Sequence, residues 1–176
     1  MGTSYENLVG KADDHIRAFA ITKDMKDSWN VNTCDIWSAA LRNTSRLLPY
    51  EFMTIEEKIR RTMPSIPFNV DTNSNEESSL YVLTNDVGVS GASVMFYENL
   101  LRDFTYKFEV DRVIIIPSSI DEVLLIPVKD GGVYRQQELR EMIRGVNATC
   151  VDADLVLTDT PYIYDRTKDT IRYFNE

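Results

Sequence analysis

The chain has one histidine, two cysteines and seven glycines among 176 residues, and each shortage excludes a class of chemistry. With His15 as the sole imidazole, a serine nucleophile elsewhere has no neighbouring base, so a Ser-His-acid site is not expected. Cys34 and Cys150 are too far apart for a metal knuckle or a disulfide framework, and buried free thiols are the expectation. The few glycines form no G-x-S-x-G elbow, Walker loop or G-x-G-x-x-G fingerprint, and no cofactor is expected. No apolar run approaches the ~18 residues of a membrane span. The opening Met1-Gly2-Thr3-Ser4-Tyr5-Glu6 lacks the basic start and apolar run of a signal peptide, which implies a cytoplasmic protein.

Positive charge is also scarce. Nineteen basic residues face 28 acidic ones, a net charge of -9. Residues 1–70 hold nine acids and nine bases, so the remaining 19 acids and 10 bases, and all the excess, belong to residues 71–176. Such a potential disfavours direct contact with nucleic-acid phosphates and favours basic protein surfaces. A hydrophobic share of 43% with 27% charged residues fits a folded domain with a real core.

What is present is alternating helix and strand signals without an internal repeat. Thr3-x-x-Glu6 reads as a capping box, and Leu8, Val9, Ala12 and Ile16 fall on one face of a helix that would carry His15 at its surface. A short strand over 18–21 follows. Thr22 caps a brief helix through Trp29, and Asn32 or Thr33 caps a longer one. There Ile36, Trp37, Ala40, Leu41, Thr44, Leu47 and Leu48 keep a helical stripe until Pro49. Thr54-x-x-Glu57 is a second capping box, for a helix ending before Pro64. The polar stretch 64–79 reads as a loop or hinge. It separates a mainly helical part, 1–63, from an acidic, sheet-containing part, 80–176, within one domain covering 1–176.

Beyond it, 80–84 reads as a strand and Asn85-Asp86-Val87-Gly88 as a turn. Ala92, Met95, Phe96, Asn99, Leu100 and Phe104 suit one face of a helix, and Trp37, Phe96 and Phe104 stand at core periodicities. The segments 112–116 and 123–128 are apolar, β-branched and too short for helices; they predict antiparallel strands joined through the polar centre 117–122. Pro117 cannot donate to a ladder and ends the first of them. Leu139, Met142, Ile143 and Val146 repeat at i, i+3, i+4 and i+7 in a helix. Segments 155–157 and 162–164 are weaker strand candidates. The expected fold is a single α+β domain whose mostly antiparallel sheet has about four or five strands, packed with helices.

Several of these segments carry a resemblance. Trp29-Asn30-Val31, the N-T-x-x-L-x-P segment at 43–49, Y-V-L-T-N at 81–85, P-S-S-x-x-E-V at 117–123, V-N-x-T at 146–149 and Y-x-Y-D at 162–165 occur in this order over roughly residues 18–172. Together they resemble an uncharacterised family of gut Firmicutes. The resemblance implies one intact domain of bacterial or mobile-element origin, and no activity. The chain departs from that family's frequent P-S-S-x-H-E form by placing Asp121 before Glu122.

Ser118, Ser119 and Glu122 juxtapose hydroxyls and an acid without a base, so the serines are read as satisfying backbone groups where the strands turn. Asp152, Asp154, Asp159 and Asp165 offer oxygen ligands, but their spacing misses the D-x-D-x-D-G loop, and solvated acids around turns are the expectation. Alternation places Tyr162 and Tyr164 on one face of a strand. Three readings follow. The first is a non-enzymatic protein-interaction domain contacting its partner through Ser118, Ser119, Asp121, Glu122, Asp152, Asp154, Asp159, Tyr162 and Tyr164. The second is an acidic inhibitor filling the basic groove of a nucleic-acid-binding protein, as counter-defence proteins of mobile elements do. The third is a hydrolase or metal-dependent enzyme.

Overall fold

Pro49 marks the division of the chain into two units, Met1–Pro49 and Tyr50–Glu176. The computed structural model describes residues 5–12, 15–62, 80–117, 119–129 and 131–175. Thr3, Ser118 and the expected hinge at 64–79 lie outside these residues.

In the first unit, the segment expected as a helix is a hairpin. Strand β1, Tyr5–Ala12, pairs antiparallel with β2, His15–Ile21, from Tyr5↔Ile21 to Ala12↔His15, with a register shift between Leu8 and Lys11. Four apolar residues at helical spacing do not decide the period in so short a segment, and pairing satisfies both backbones at once. His15 therefore opens a strand instead of lying on a helix. Helix α1, Lys23–Ser28, starts as expected at Thr22, whose hydroxyl accepts from the Met25 N–H at 3.3 Å.

Helix α2, Thr33–Leu47, is capped by Asn32: its side chain accepts from the Asp35 N–H at 2.9 Å and the Asp35 carboxylate accepts from the Asn32 N–H at 3.4 Å. This reciprocal box is worth about 1 kcal/mol. The helix stops at Leu48 and Pro49, yet none of its own residues is buried. Of the stripe expected to be core, Trp37 is 57% exposed, Leu41 38% and Leu47 44%, while Ile36, Ala40 and Thr44 are half-buried and Leu48, just past the helix, is buried. Cys34 is exposed, against the expectation of a buried thiol.

The second unit is built on a six-stranded sheet ordered β3-β4-β6-β5-β7-β8, with every neighbouring pair antiparallel. Its strands are β3 Tyr50–Thr54, β4 Tyr81–Asn85, β5 Arg112–Ile116, β6 Val123–Val128, β7 Tyr162–Asp165 and β8 Thr170–Tyr173. The α+β class and the β5–β6 pair are as the sequence predicts. The edge strands β3 and β8 are additions. The 155–157 candidate reduces to a single bridge, Val156 to Ser119.

Alternation along β5 divides the core. Val113 and Ile115 face a cluster with Tyr81, Leu83, Leu125 and Tyr164, closed by Val94 of a 3-10 turn, Gly91–Phe96, and by Leu101 and Phe104 of α4, Leu100–Lys107. Ile114 and Ile116 face the opposite cluster, closed by Leu139 and Ile143 of α5, Gln136–Cys150. Both faces of the central strands are thus covered, which explains their unbroken apolar runs. Each fully buried isoleucine contributes about 1.5–3 kcal/mol. On the first face Phe52, Tyr81, Phe104 and Phe108 interlock, with Phe52 stacked on Tyr81 at 5.0 Å and edge-on to Phe104 at 5.2 Å.

The helix expected over residues 92–104 is broken. Residues 97–99 separate the 3-10 turn from α4, and Asn99 adopts the left-handed conformation at φ +61°. The break leaves Phe96 56% exposed while Phe104 stays in the core. Helix α3, Ile55–Thr62, uses half of its expected box: Thr54 Oγ1 accepts from the Glu57 N–H at 3.2 Å, whereas the Glu57 carboxylate pairs with Arg61 at 2.7 Å. Among the described residues no helix is long and apolar enough to cross a membrane.

Candidate functional site

The turn between β5 and β6 brings together two of the segments singled out in the sequence. Thr84 and Asn85, at the end of β4, meet residues 119–122. Thr84 Oγ1 donates to the Asp121 carbonyl at 2.7 Å, and Asp121 Oδ1 accepts from the Ser90 N–H at 2.8 Å. Ser119 is buried and its Oγ accepts from the Asp121 N–H at 3.1 Å. Ile120 donates its N–H to the Leu155 carbonyl at 2.9 Å and accepts from the Ala92 N–H at 3.0 Å. Glu122 pairs with Lys58 of α3 at 2.7 Å.

Asn85 shapes the adjoining turn, its Oδ1 accepting from the N–H of Val87 at 3.1 Å and of Gly88 at 2.7 Å. Gly91 lies so close to this junction that a Cβ would collide with Thr84 Oγ1 and the Asp121 carbonyl and stand 2.9 Å from the Asn85 backbone nitrogen. The junction is therefore a lock joining β4, β6, the 3-10 turn and residues 155–156. Among the described residues no base bonds the Ser119 hydroxyl, and no group of three or more His, Cys, Asp or Glu side chains is placed to hold a metal ion.

The aspartates have separate roles. Asp152 and Asp154 are exposed around a turn closed by the Leu155 N–H on the Asp152 carbonyl at 2.8 Å. Asp159 instead anchors α5, accepting from Arg144 Nε and Asn147 Nδ2, each at 3.1 Å. Asp165 orders the β7–β8 turn: its Oδ1 accepts from the Thr167 N–H at 3.0 Å and the Thr167 hydroxyl at 2.6 Å. The Thr167 hydroxyl is the main cause holding the Asp165 carboxyl below its ordinary range.

Tyr162 and Tyr164 do share a face, toward the Val113 and Ile115 cluster. Tyr162 stacks on Tyr173 at 5.0 Å. Tyr164 is only 4% exposed and its hydroxyl donates to Asp169 Oδ1 at 2.7 Å, while Arg102 Nη2 of α4 reaches Asp169 Oδ2 at 2.5 Å. Burial is the chief cause raising the Tyr164 hydroxyl above its ordinary value, and its hydrogen bond to Asp169 adds to it.

This trio ends a cleft of about 250 Å³ whose apolar wall is Met95, Phe96, Leu100 and Ile171. It is a concave feature with convergent polar groups among the described residues of the sheet unit. Arg102 and Asp169 carried no sequence signal: the pair is non-local, and the turn that aims Asp169 needs a left-handed residue, φ +50°, at that aspartate.

Residues 1–166 match the model of a family described as Family of unknown function (DUF5688), and the chain belongs to that family. No curated protein and no solved structure matches it.

Proposed function

We propose that this member of the DUF5688 family is a non-enzymatic protein-interaction domain whose contact surface is the apolar face of α2. One observation carries the reading: Trp37 and Leu41, one helical turn apart, are 57% and 38% exposed on a well-capped helix. Tryptophan is among the residues enriched at interface hot spots, and an amphipathic helix presenting Trp37 and Leu41 on one face fits an apolar groove on its partner. The polar groups at 119–122 support the same reading from the other side, because their hydrogen bonds are internal and leave no activated nucleophile. The test is capture from an extract of the native host with the whole chain as bait. A defined protein retained by the wild type and lost with Trp37→Asp/Leu41→Asp, at unchanged melting midpoint, is the expected result. Equal capture by both chains, or none above background, contradicts it.

A second reading, inhibition of a basic nucleic-acid-binding protein, draws on the exposed pair Asp152 and Asp154. Asp159, engaged by Arg144 and Asn147, adds little free charge to that surface. Salt-sensitive competition with nucleic acid, weakened by Asp152→Lys/Asp154→Lys, distinguishes this reading from the first.

A further inference from the structure

We propose that the cleft beside α4 binds a small apolar carboxylate, with its hydrocarbon part against Met95, Leu100 and Ile171 and its carboxylate replacing that of Asp169 on Arg102 and Tyr164. The cleft is built wholly from residues of the second unit, and this inference does not rest on the reading of α2.

The donors are already arranged for a carboxylate. Arg102 Nη2 and the Tyr164 hydroxyl approach the two oxygens of one carboxylate at 2.5 and 2.7 Å. Both are firmly mounted. Tyr164 is buried on β7, paired with Val113 on one side and Ile171 on the other. Arg102 rises from the first turn of α4 and is steadied by Asn99 Oδ1, which accepts from Nη1 at 3.3 Å. The acceptor is the replaceable member. Asp169 sits on the β7–β8 turn with its side chain 57% exposed, so a rotation about its side-chain bonds takes the carboxylate toward solvent while the donors stay.

Charge and size narrow the ligand. A cation is repelled by Arg102 and finds both oxygens of Asp169 already occupied. A neutral group cannot replace a charge-assisted bond of this kind. The volume, about 250 Å³, falls just below the ~300–1,000 Å³ of sites for drug-sized ligands, which suits one apolar side chain with a carboxylate. Such a group occurs both in a short-chain fatty acid and at the C-terminus of a peptide ending in an apolar residue. In the wild type the incoming anion competes with Asp169, so binding is weak and neutralising that residue strengthens it.

The experiment titrates hexanoate, N-acetyl-leucine and the neutral N-acetyl-leucinamide into the full chain, following the backbone and methyl NMR signals of Met95, Leu100 and Ile171. At least one acid is expected to shift these signals. Asp169→Asn is expected to tighten binding about tenfold, and Arg102→Gln to weaken it at least as much, the scale of one hydrogen bond to a charged group. Binding of hexanoate alone assigns the site to free acids, and of N-acetyl-leucine alone to peptide C-termini; either supports the proposal. Equal binding of the amide overturns it, as does failure of Asp169→Asn to tighten binding or the absence of shifts in both chains. Comparing acid with amide on the wild-type chain keeps the test valid if Arg102→Gln fails to fold.

Discussion

Helices α2 and α5 are each fifteen residues long and each carries apolar residues at helical spacing, yet they meet different fates. Helix α5 puts Leu139 and Ile143 into the core at 6% and 1% exposure, sealing one face of the sheet. Helix α2 buries none of its fifteen residues. The pattern is alike because both helices are built to present an apolar face, and periodicity records only that such a face exists. What covers it depends on the element opposite. For α5 that element is the β5–β6 ladder; for α2 the proposed cover is a partner.

The contrast is sharpest when both helices are truncated. Ile143→Ala removes a fully buried side chain and is expected to cost about 2–5 kcal/mol, whereas Leu41→Ala is expected to change stability by about 0.5 kcal/mol or less. Paired denaturant melts check this, and similar losses at the two positions would erase the distinction. Gly91→Ala tests whether the junction at 119–122 is a lock. The added methyl strikes the Asp121 carbonyl as well as the Thr84 side chain, and backbone cannot yield cheaply, so a loss of about 1–3 kcal/mol is expected. Smaller is Asn32→Ala, expected to lower stability by about 1 kcal/mol through the lost cap alone, which shows that α2 is held by its own local chemistry.

The smallest effect is electrostatic and belongs to the sheet unit. Tyr164 is raised in the folded state from its ordinary value of 10.0, so the fold favours its protonated form. The unfolded chain then releases that proton first, and stability falls as pH rises from about 10 toward the raised folded value. Below that window its contribution is fully present and independent of pH. Tyr164→Phe is expected to flatten the alkaline limb of a stability-pH curve, and an unchanged limb would remove Tyr164 from it.

Much of the architecture was legible where a local rule had no competitor. Thr22, Asn32 and Thr54 all cap helices, and the strand ending at Pro117 pairs with 123–128 as their apolar, β-branched runs imply. The failures are places where two rules applied to the same residues. Leu8, Val9, Ala12 and Ile16 satisfy a helical face, but these segments pair as a hairpin. Phe96 keeps the period of Phe104, but the left-handed Asn99 interrupts it. Tyr50–Thr54 sets Phe52 beside Met53 and so lacks a clean alternation, its last residue is also the cap of α3, and only pairing with β4 makes it a strand. Of the candidate site, Ser119, Asp121 and Glu122 were found as a group, but their internal bonds depend on Thr84, Ser90 and Lys58, which folding alone brings near. Arg102 and Asp169 were invisible for the same reason.

The exposure of Trp37 can be measured directly. In a Trp29→Phe chain, Trp37 is the sole indole, since the protein has two tryptophans. Its emission in the free chain is expected to be red-shifted and readily quenched by acrylamide, as for a ring more than half open to solvent. Blue-shifted, quencher-resistant emission from the isolated chain would mean that this face is already covered, and would contradict the assignment of α2 as the partner surface.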